Sequence, residues 1–354
     1  MNTYNILLKL IRIALGKESD FSFPVNIPWS ELLQLADKQQ VTAVTTDGIL
    51  ISGISVPHSV KMEWISRVAI CEQAYEQHMR MMVRLALAYH QADIRMMVLK
   101  GWGLSLNYPV PSHRPSGDLD IWNFGQWKEA DALIESKGIK IDNSHHHHSV
   151  FSVKGLMVEN HYDFVNVYVR RSNKVIEEKL KELANNGYQR TEVENTAVYL
   201  PSVDFNALFL LRHTASHFSS AGISLRQVLD WGLFMERYHH RIEWDWYLPF
   251  IKKLGMYPFF VILNTICMEQ LSIAAKCFHG HTGNSPNVSR VLKDIFYPEY
   301  GDKKNGTLFT GIRVKSTRWW HNRWKHRLCY TDGLASSFVY GLWAKMLKPT
   351  HFVQ

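Results

Sequence analysis

Residues 98–122 read VLKGWGLSLNYPVPSHRPSGDLDIW. An apolar run, Met96–Leu99, ends on Lys100-Gly101. A loop punctuated by Pro109, Pro111 and Pro115 carries Arg114, and Asp118-Leu119-Asp120 then opens a second apolar run. In a strand, residues two apart share a face. The reading is therefore two strands, Ile94–Leu99 and Asp118–Trp122, with Leu119 and Ile121 in the core and the Asp118 and Asp120 carboxylates together on the opposite face. Two carboxylates so close repel unless a cation lies between them. Few, rigidly held oxygen ligands suit Mg²⁺, which keeps waters and takes further ligands from substrate phosphates.

Further along, Val158-Glu159-Asn160-His161-Tyr162 repeats the pattern, placing Glu159 and His161 on one strand face. The set Leu99-Lys100-Gly101, Tyr108-Pro109, Arg114, Asp118-Leu119-Asp120 and Glu159-Asn160-His161 resembles the nucleotidyltransferase superfamily with the polymerase-beta-like fold. It is most similar to the bacterial family described as uncharacterised nucleotidyltransferases. The resemblance is best over 94–164 and continues more weakly through 200–250. It implies that Asp118, Asp120 and Glu159 hold Mg²⁺ (or Mn²⁺), and that Lys100, Gly101 and Arg114 meet the phosphates of a nucleoside triphosphate. His161 would orient a carboxylate or touch substrate; its other reading is a satisfied core histidine. Lys100 and Arg114 have a competing reading as ion-pair partners. After Gly101 the chain carries Trp102-Gly103 where most members carry Gly-Ser.

Outward from this centre, the fold class expected is α+β: a nucleotidyltransferase-like mixed sheet with helices, plus a mainly α-helical C-terminal domain. An amphipathic helix is read over residues 2–15, a second from about 31 capped by Ser30, and one or two helices over Val60–His90. Met79, Met81, Met82, Met96 and Met97 are read as core filler. Gln126–Ser136 reads as a helix, Ile139–Ile141 as a short strand, and Ser149–Val153 with Met157–Tyr168 as a hairpin turning at Lys154-Gly155. Helices follow at Asn173–Asn186, from Ser202 through Phe218, Leu225–Tyr238, Tyr247–Leu254 and Pro258–Lys276, with Arg226 and Asp230 spaced to pair. The implied division is 1–92 (helices packing on the core), 93–172 (catalytic core), 173–300 (helical domain) and 301–354 (basic, Trp-rich segment).

Three histidine and cation features stand apart. His145–His148 is read as a solvated loop with one His reaching the cleft and at most two rings able to converge; its other reading is a transition-metal site, adventitious or dedicated. His213 and His217 share a helix face at i, i+4, spaced for zinc but without a metalloprotease glutamate. They are read, with Asp230, as a polar network tying the helical domain to the cleft. Of 354 residues, the last 54 carry ten Lys/Arg and two acids, which is the whole formal charge of +8. Arg318-Trp-Trp-His-Asn-Arg-Trp-Lys-His-Arg327 interleaves cations with aromatics, a pattern for an anionic membrane surface, nucleic acid, or a helix whose tryptophans cover the core.

With 46% apolar residues the chain can bury a sizeable core. Four cysteines without C-x-x-C spacing argue against a disulfide framework or structural zinc. Lys9 and Arg12 interrupt any signal-peptide apolar region. The expectation is a cytoplasmic protein, peripheral to the membrane at most. Its expected activity is Mg²⁺-dependent transfer of a nucleoside monophosphate from an NTP to an unidentified hydroxyl or phosphate acceptor. The alternative is a non-catalytic nucleotide-binding or membrane-peripheral accessory protein that keeps the fold.

Overall fold

The computed structural model describes residues 2–298, 317 and 320–333. Its centre is a six-stranded mixed sheet in the order β3-β4-β2-β1-β6-β5. The strands are β1 (Met97–Val98), β2 (Leu119–Trp122), β3 (His148–Val153), β4 (Leu156–His161), β5 (Tyr188–Val193) and β6 (Thr196–Pro201). β2 runs antiparallel to β1 and parallel to β4, and β1 runs parallel to β6.

Alternation sorts the sheet into two faces. Val98, Leu119, Ile121, Phe151, Val158 and Val198 meet α4 (His58–Gln91) and α6 (Trp127–Ser136) in one apolar cluster. Met97, Leu99 and Trp122 point the other way, into a larger core. That core includes α1 (Thr3–Ala14), α2 (Trp29–Lys38), α3 (Thr42–Ser52), α8 (Val203–Ser220), α9 (Leu225–Tyr238), α10 (Trp244–Lys253), α11 (Tyr257–Leu271) and α12 (Pro286–Phe296). The N-terminal helices and the helical half thus share one core, and the sheet is covered on both faces.

Local chemistry explains most boundaries. Asn2 caps α1, Ser202 caps α8 through the Phe205 N–H (3.2 Å), and Ser224 with Gln227 forms a capping box on α9. The stretch Val60–His90 lies within a single 34-residue helix, α4. Met81, Met82, Met96 and Met97 are buried as read, with Met79 packed beside them.

The departures also have causes. The β3–β4 hairpin turns at Lys154-Gly155, both at positive φ, which matches the right-handed strand twist. The β5–β6 hairpin turns at Glu194-Asn195, also at positive φ but without glycine, so its sequence signal is weak. This hairpin joins the sheet through β6 and lies within 173–300, where only helices were read. The segment Ile139–Ile141 forms no strand; a lone bridge, Asp142 to Val150, stands in its place. β4 ends at His161 because the Tyr162 and Asp163 N–H groups turn back to the His147 carbonyl (3.1 and 3.0 Å). α3 was not read at all, and α7 (Arg171–Asn186) agrees with the reading to within two residues.

The four cysteines are free, three of them buried. No helix among the described residues is long and apolar enough to cross a membrane. In the basic segment, the helix Arg323–Cys329 packs on the core: Lys325 is buried against Asp294 (2.6 Å), and Trp324 meets Phe218. The remaining cations, Lys303, Lys304, Arg313, Lys315, Arg318, Lys345 and Lys348, lie outside the described residues. The expectation of a membrane or nucleic-acid surface therefore falls mostly there.

α1 and α3 touch at Gly48, where an added Cβ would lie 2.0 Å from the Leu10 carbonyl oxygen. Backbone cannot rotate aside as a side chain can. Gly48→Ala is therefore expected to cost about 3 kcal/mol, the upper end for overpacking. Urea unfolding measures it; a loss below about 1 kcal/mol would mean that the two helices are not in contact here.

Candidate active site

On the sheet face opposite α4 and α6, register brings the acidic side chains together. Asp120 pairs across the parallel ladder with Glu159, and Trp122 with His161; across the hairpin, His161 faces His148. Asp120, Glu159 and His161 each place one ligand atom within 4.8 Å of the others. The Lys100 ammonium lies 2.8 Å from Asp120 Oδ1. His161 Nε2 donates to Asp120 (3.0 Å) and approaches Glu159 (3.4 Å), while its Nδ1 donates to the Asp163 carbonyl (3.2 Å).

The electrostatics follow from these contacts. Burial works against the Asp120 carboxylate, but Lys100 and then His161 hold it far below its usual range. Burial alone would discharge His161; its hydrogen bonds to Asp120 and Glu159 outweigh that and raise it to about 9. Burial, then the neighbouring His161, lowers His148 to about 4 and His147 to about 2.

Stability should respond to pH on both sides. The raised His161 contributes fully below its ordinary value near 6.5, and that contribution is lost as pH climbs through about 9. The depressed His147 and His148 contribute above 6.5, and theirs is lost as pH falls toward about 4 for His148 and about 2 for His147. His161→Gln should flatten the fall of Tm between about pH 6.5 and pH 9, and the acid fall should persist because burial is its main cause. An unchanged alkaline limb would contradict this charge assignment.

Lys100 has φ 48° and ψ −129°, a region suited to glycine, and Gly101 follows at φ 36°. Strain of this kind costs about 1–3 kcal/mol and persists where a function or tight packing holds it. Here it turns the chain from β1 into α5 (Gly101–Ser105) and sets the ammonium on Asp120.

Asp118 is placed differently from its reading. β1 turns away at Lys100, so β2 begins at Leu119 and Asp118 sits exposed on the bend before it. It is not among the converged ligands, though it lines a cavity of about 190 Å³ with Lys100, Gly101, Arg114 and Asp120. Arg114 is also committed elsewhere. It is buried, and its Nε and Nη2 donate to the two oxygens of Asp230 at 2.8 and 2.9 Å. Tyr108 Oη donates to the same carboxylate (2.8 Å). The expected Arg226–Asp230 pair is thus replaced by Arg114–Asp230, and this triad joins the proline loop to α9. His213 is not part of that link: it packs against Phe209 and His217 and lines the cavity.

The histidine run is not a solvated loop. His148 is buried, His147 is half-buried, and their ring nitrogens lie within 4.8 Å of each other and of His161. The Nδ1 atoms of both are buried without a hydrogen-bond partner among the described residues. The signal for this was in the sequence, since the hairpin at Lys154-Gly155 puts His148 opposite His161. A larger cavity of about 440 Å³, lined by His147, Arg170, Arg212, His213 and His217, adjoins the first; His213 and His217 line both.

The residues present fit a divalent cation. Two carboxylates and an imidazole each place a ligand atom within 4.8 Å of the others, and a divalent ion would take the place of the proton that His161 shares with Asp120. No curated protein matches the chain. One solved structure that it resembles is an antigenic nucleotidyltransferase-like protein from Paracoccidioides brasiliensis, at 14% identity over 50% of this chain and 88% of that one, with a TM-score of 0.33. Residues 26–271 match the sequence model described as Uncharacterised nucleotidyltransferase, and on that match, well over half its length, the chain belongs to this family.

Proposed function

We propose that the protein transfers a nucleoside monophosphate from an NTP to a hydroxyl or phosphate acceptor, with Mg²⁺ (or Mn²⁺) held at Asp120 and Glu159. The observation that carries this is the convergence of Asp120, Glu159 and His161, with Asp120 and its partner Lys100 also lining a cavity that reaches Gly101. The acceptor oxygen forms a bond to the α-phosphorus, the bond from that phosphorus to the bridging oxygen breaks, and pyrophosphate leaves. A bound divalent cation would supply positive charge for the phosphate oxygens.

The chain's own groups have distinct parts. Lys100 neutralises phosphate charge from its fixed position beside Asp120. Glu159, whose side chain is more exposed than that of Asp120, takes the acceptor proton. His161 positions both carboxylates through Nε2, its ring held by the Asp163 carbonyl. Gly101, open on its Cβ side, leaves room for phosphate to approach backbone N–H groups. Asp118, at the cavity rim, assists from outside the cluster, and Arg114 serves as a strut under the loop.

A second reading has its own support. Asp120 is already satisfied by Lys100 and His161, and Arg114 by Asp230, as in a site that binds nucleotide without turnover. Titration of ATP, GTP, CTP and UTP with Mg²⁺, on wild type and Asp120→Asn, tests what both readings share. Expected is metal-dependent binding of one nucleotide, weakened at least about tenfold in the variant. No binding of any of the four by wild type would overturn both.

A further inference from the structure

We propose that His147, His148 and His161 form a second ion position beside the carboxylates, one that takes a borderline transition-metal ion such as Zn²⁺. It goes beyond nucleotidyl transfer and stands whether or not the protein is a transferase.

The three imidazoles are brought together by the fold. Register sets His148 directly opposite His161 across the β3–β4 hairpin. His147 precedes the strand by one residue, and its carbonyl accepts the Tyr162 and Asp163 N–H groups, pinning the backbone there to the end of β4. One ring nitrogen from each residue lies within 4.8 Å of the other two. In a tetrahedral zinc site, with Zn–N near 2.0–2.1 Å, such nitrogens stand about 3.4 Å apart, within reach of small χ rotations.

Two further observations point to a ligand. The Nδ1 atoms of both His147 and His148 are buried with no hydrogen-bond partner among the described residues. A lone orphan of this kind is costly, and two adjacent ones call for an explanation. The third ring is held as a ligand should be: His161 Nδ1 donates to the Asp163 carbonyl, and Nε2, which donates to Asp120 in this structure, would exchange that proton for the metal ion. Three protein nitrogens leave a fourth position for water or for Glu159, whose Oε1 lies 3.8 Å from His148 Nε2.

The choice of ion follows from the donors. Imidazole suits Zn²⁺, Cu²⁺, Ni²⁺ and Fe²⁺, whereas Mg²⁺ demands oxygen. The centre thus has an oxygen side, Asp120 with Glu159, and a nitrogen side, with His161 between them.

Co²⁺, a coloured probe for such a position, tests it on the full chain prepared without an affinity tag. Visible absorption should saturate at one equivalent and be bleached by Zn²⁺. His147→Ala/His148→Ala should weaken binding on the order of 100-fold. His145→Ala/His146→Ala, in the same run but outside the cluster, should leave it within about threefold. Equal loss in both double variants would reveal only an adventitious histidine tract and overturn the proposal, as would no Co²⁺ binding by wild type. Should the first double variant fail to fold, His147→Gln carries the same comparison. Co²⁺ binding without NTP turnover would uphold this position and count against the transferase reading; turnover with Mg²⁺ and no Co²⁺ binding would do the reverse.

Discussion

Asp230→Ala is expected to lower the unfolding free energy by about 3–5 kcal/mol, one of the two largest effects of any single change in this protein. Asp230 is buried on α9 and accepts from Arg114 Nε and Nη2 and from Tyr108 Oη. Removing it leaves a guanidinium and a phenol buried with no acceptor in place of the carboxylate, and desolvation is then uncompensated. Burial opposes the Asp230 charge, but Arg114 holds its carboxyl below the ordinary range. Replacing both partners by apolar residues, Arg114→Met/Asp230→Leu, should restore much of the loss, since no charge is then stranded. Urea unfolding of the two variants checks this. A cost below about 1 kcal/mol for Asp230→Ala would mean that Arg114 is free to leave the pair. The same pair decides what Arg114 does for substrate. As a strut it should leave nucleotide affinity of the folded Arg114→Met/Asp230→Leu variant nearly unchanged, whereas a phosphate ligand would weaken it strongly.

Asp120→Asn is expected to lower turnover on the order of 10³-fold in a protein that still folds. Asp120 stands where the Lys100 and His161 charges meet, and it is one of the two carboxylates placed to hold a cation. The amide keeps the shape but cannot neutralise either partner, so His161 should also lose part of its raised affinity for a proton. Asp118→Asn, at an exposed bend outside the converged set, is expected to cost no more than about tenfold. Comparing kcat for the two variants separates the positions. Equal losses would restore the symmetric pair suggested by the D-x-D spacing.

That contrast shows where the sequence was informative. Alternation correctly put Leu119 and Ile121 under the sheet and Asp120, Glu159 and His161 on one face, because each lies within a paired strand. Asp118 escaped the rule because strand pairing stops one residue short of it, and pairing depends on where β1 turns away. The partner of Arg114 was not legible either: Asp230 is 116 residues distant, and only tertiary packing pairs Asp230 with Arg114 rather than with Arg226. The β5–β6 hairpin went unread because Glu194-Asn195 makes the same turn as Lys154-Gly155 without a glycine to mark it. The histidine run looked like solvated loop because its polarity was weighed without its register; counted back from the Lys154-Gly155 turn, His148 falls opposite His161.

The most direct test of nucleotidyl transfer at Asp120 and Glu159 is to follow the fate of labelled phosphates. Purified wild type is incubated with Mg²⁺, a pool of small-molecule and macromolecular acceptors, and NTP labelled at either the α- or the γ-phosphate. The account predicts that α-label passes to an acceptor while γ-label appears in pyrophosphate, and that Asp120→Asn does neither. Transfer of the γ-label to an acceptor, or α-label transfer that survives in Asp120→Asn, would contradict it.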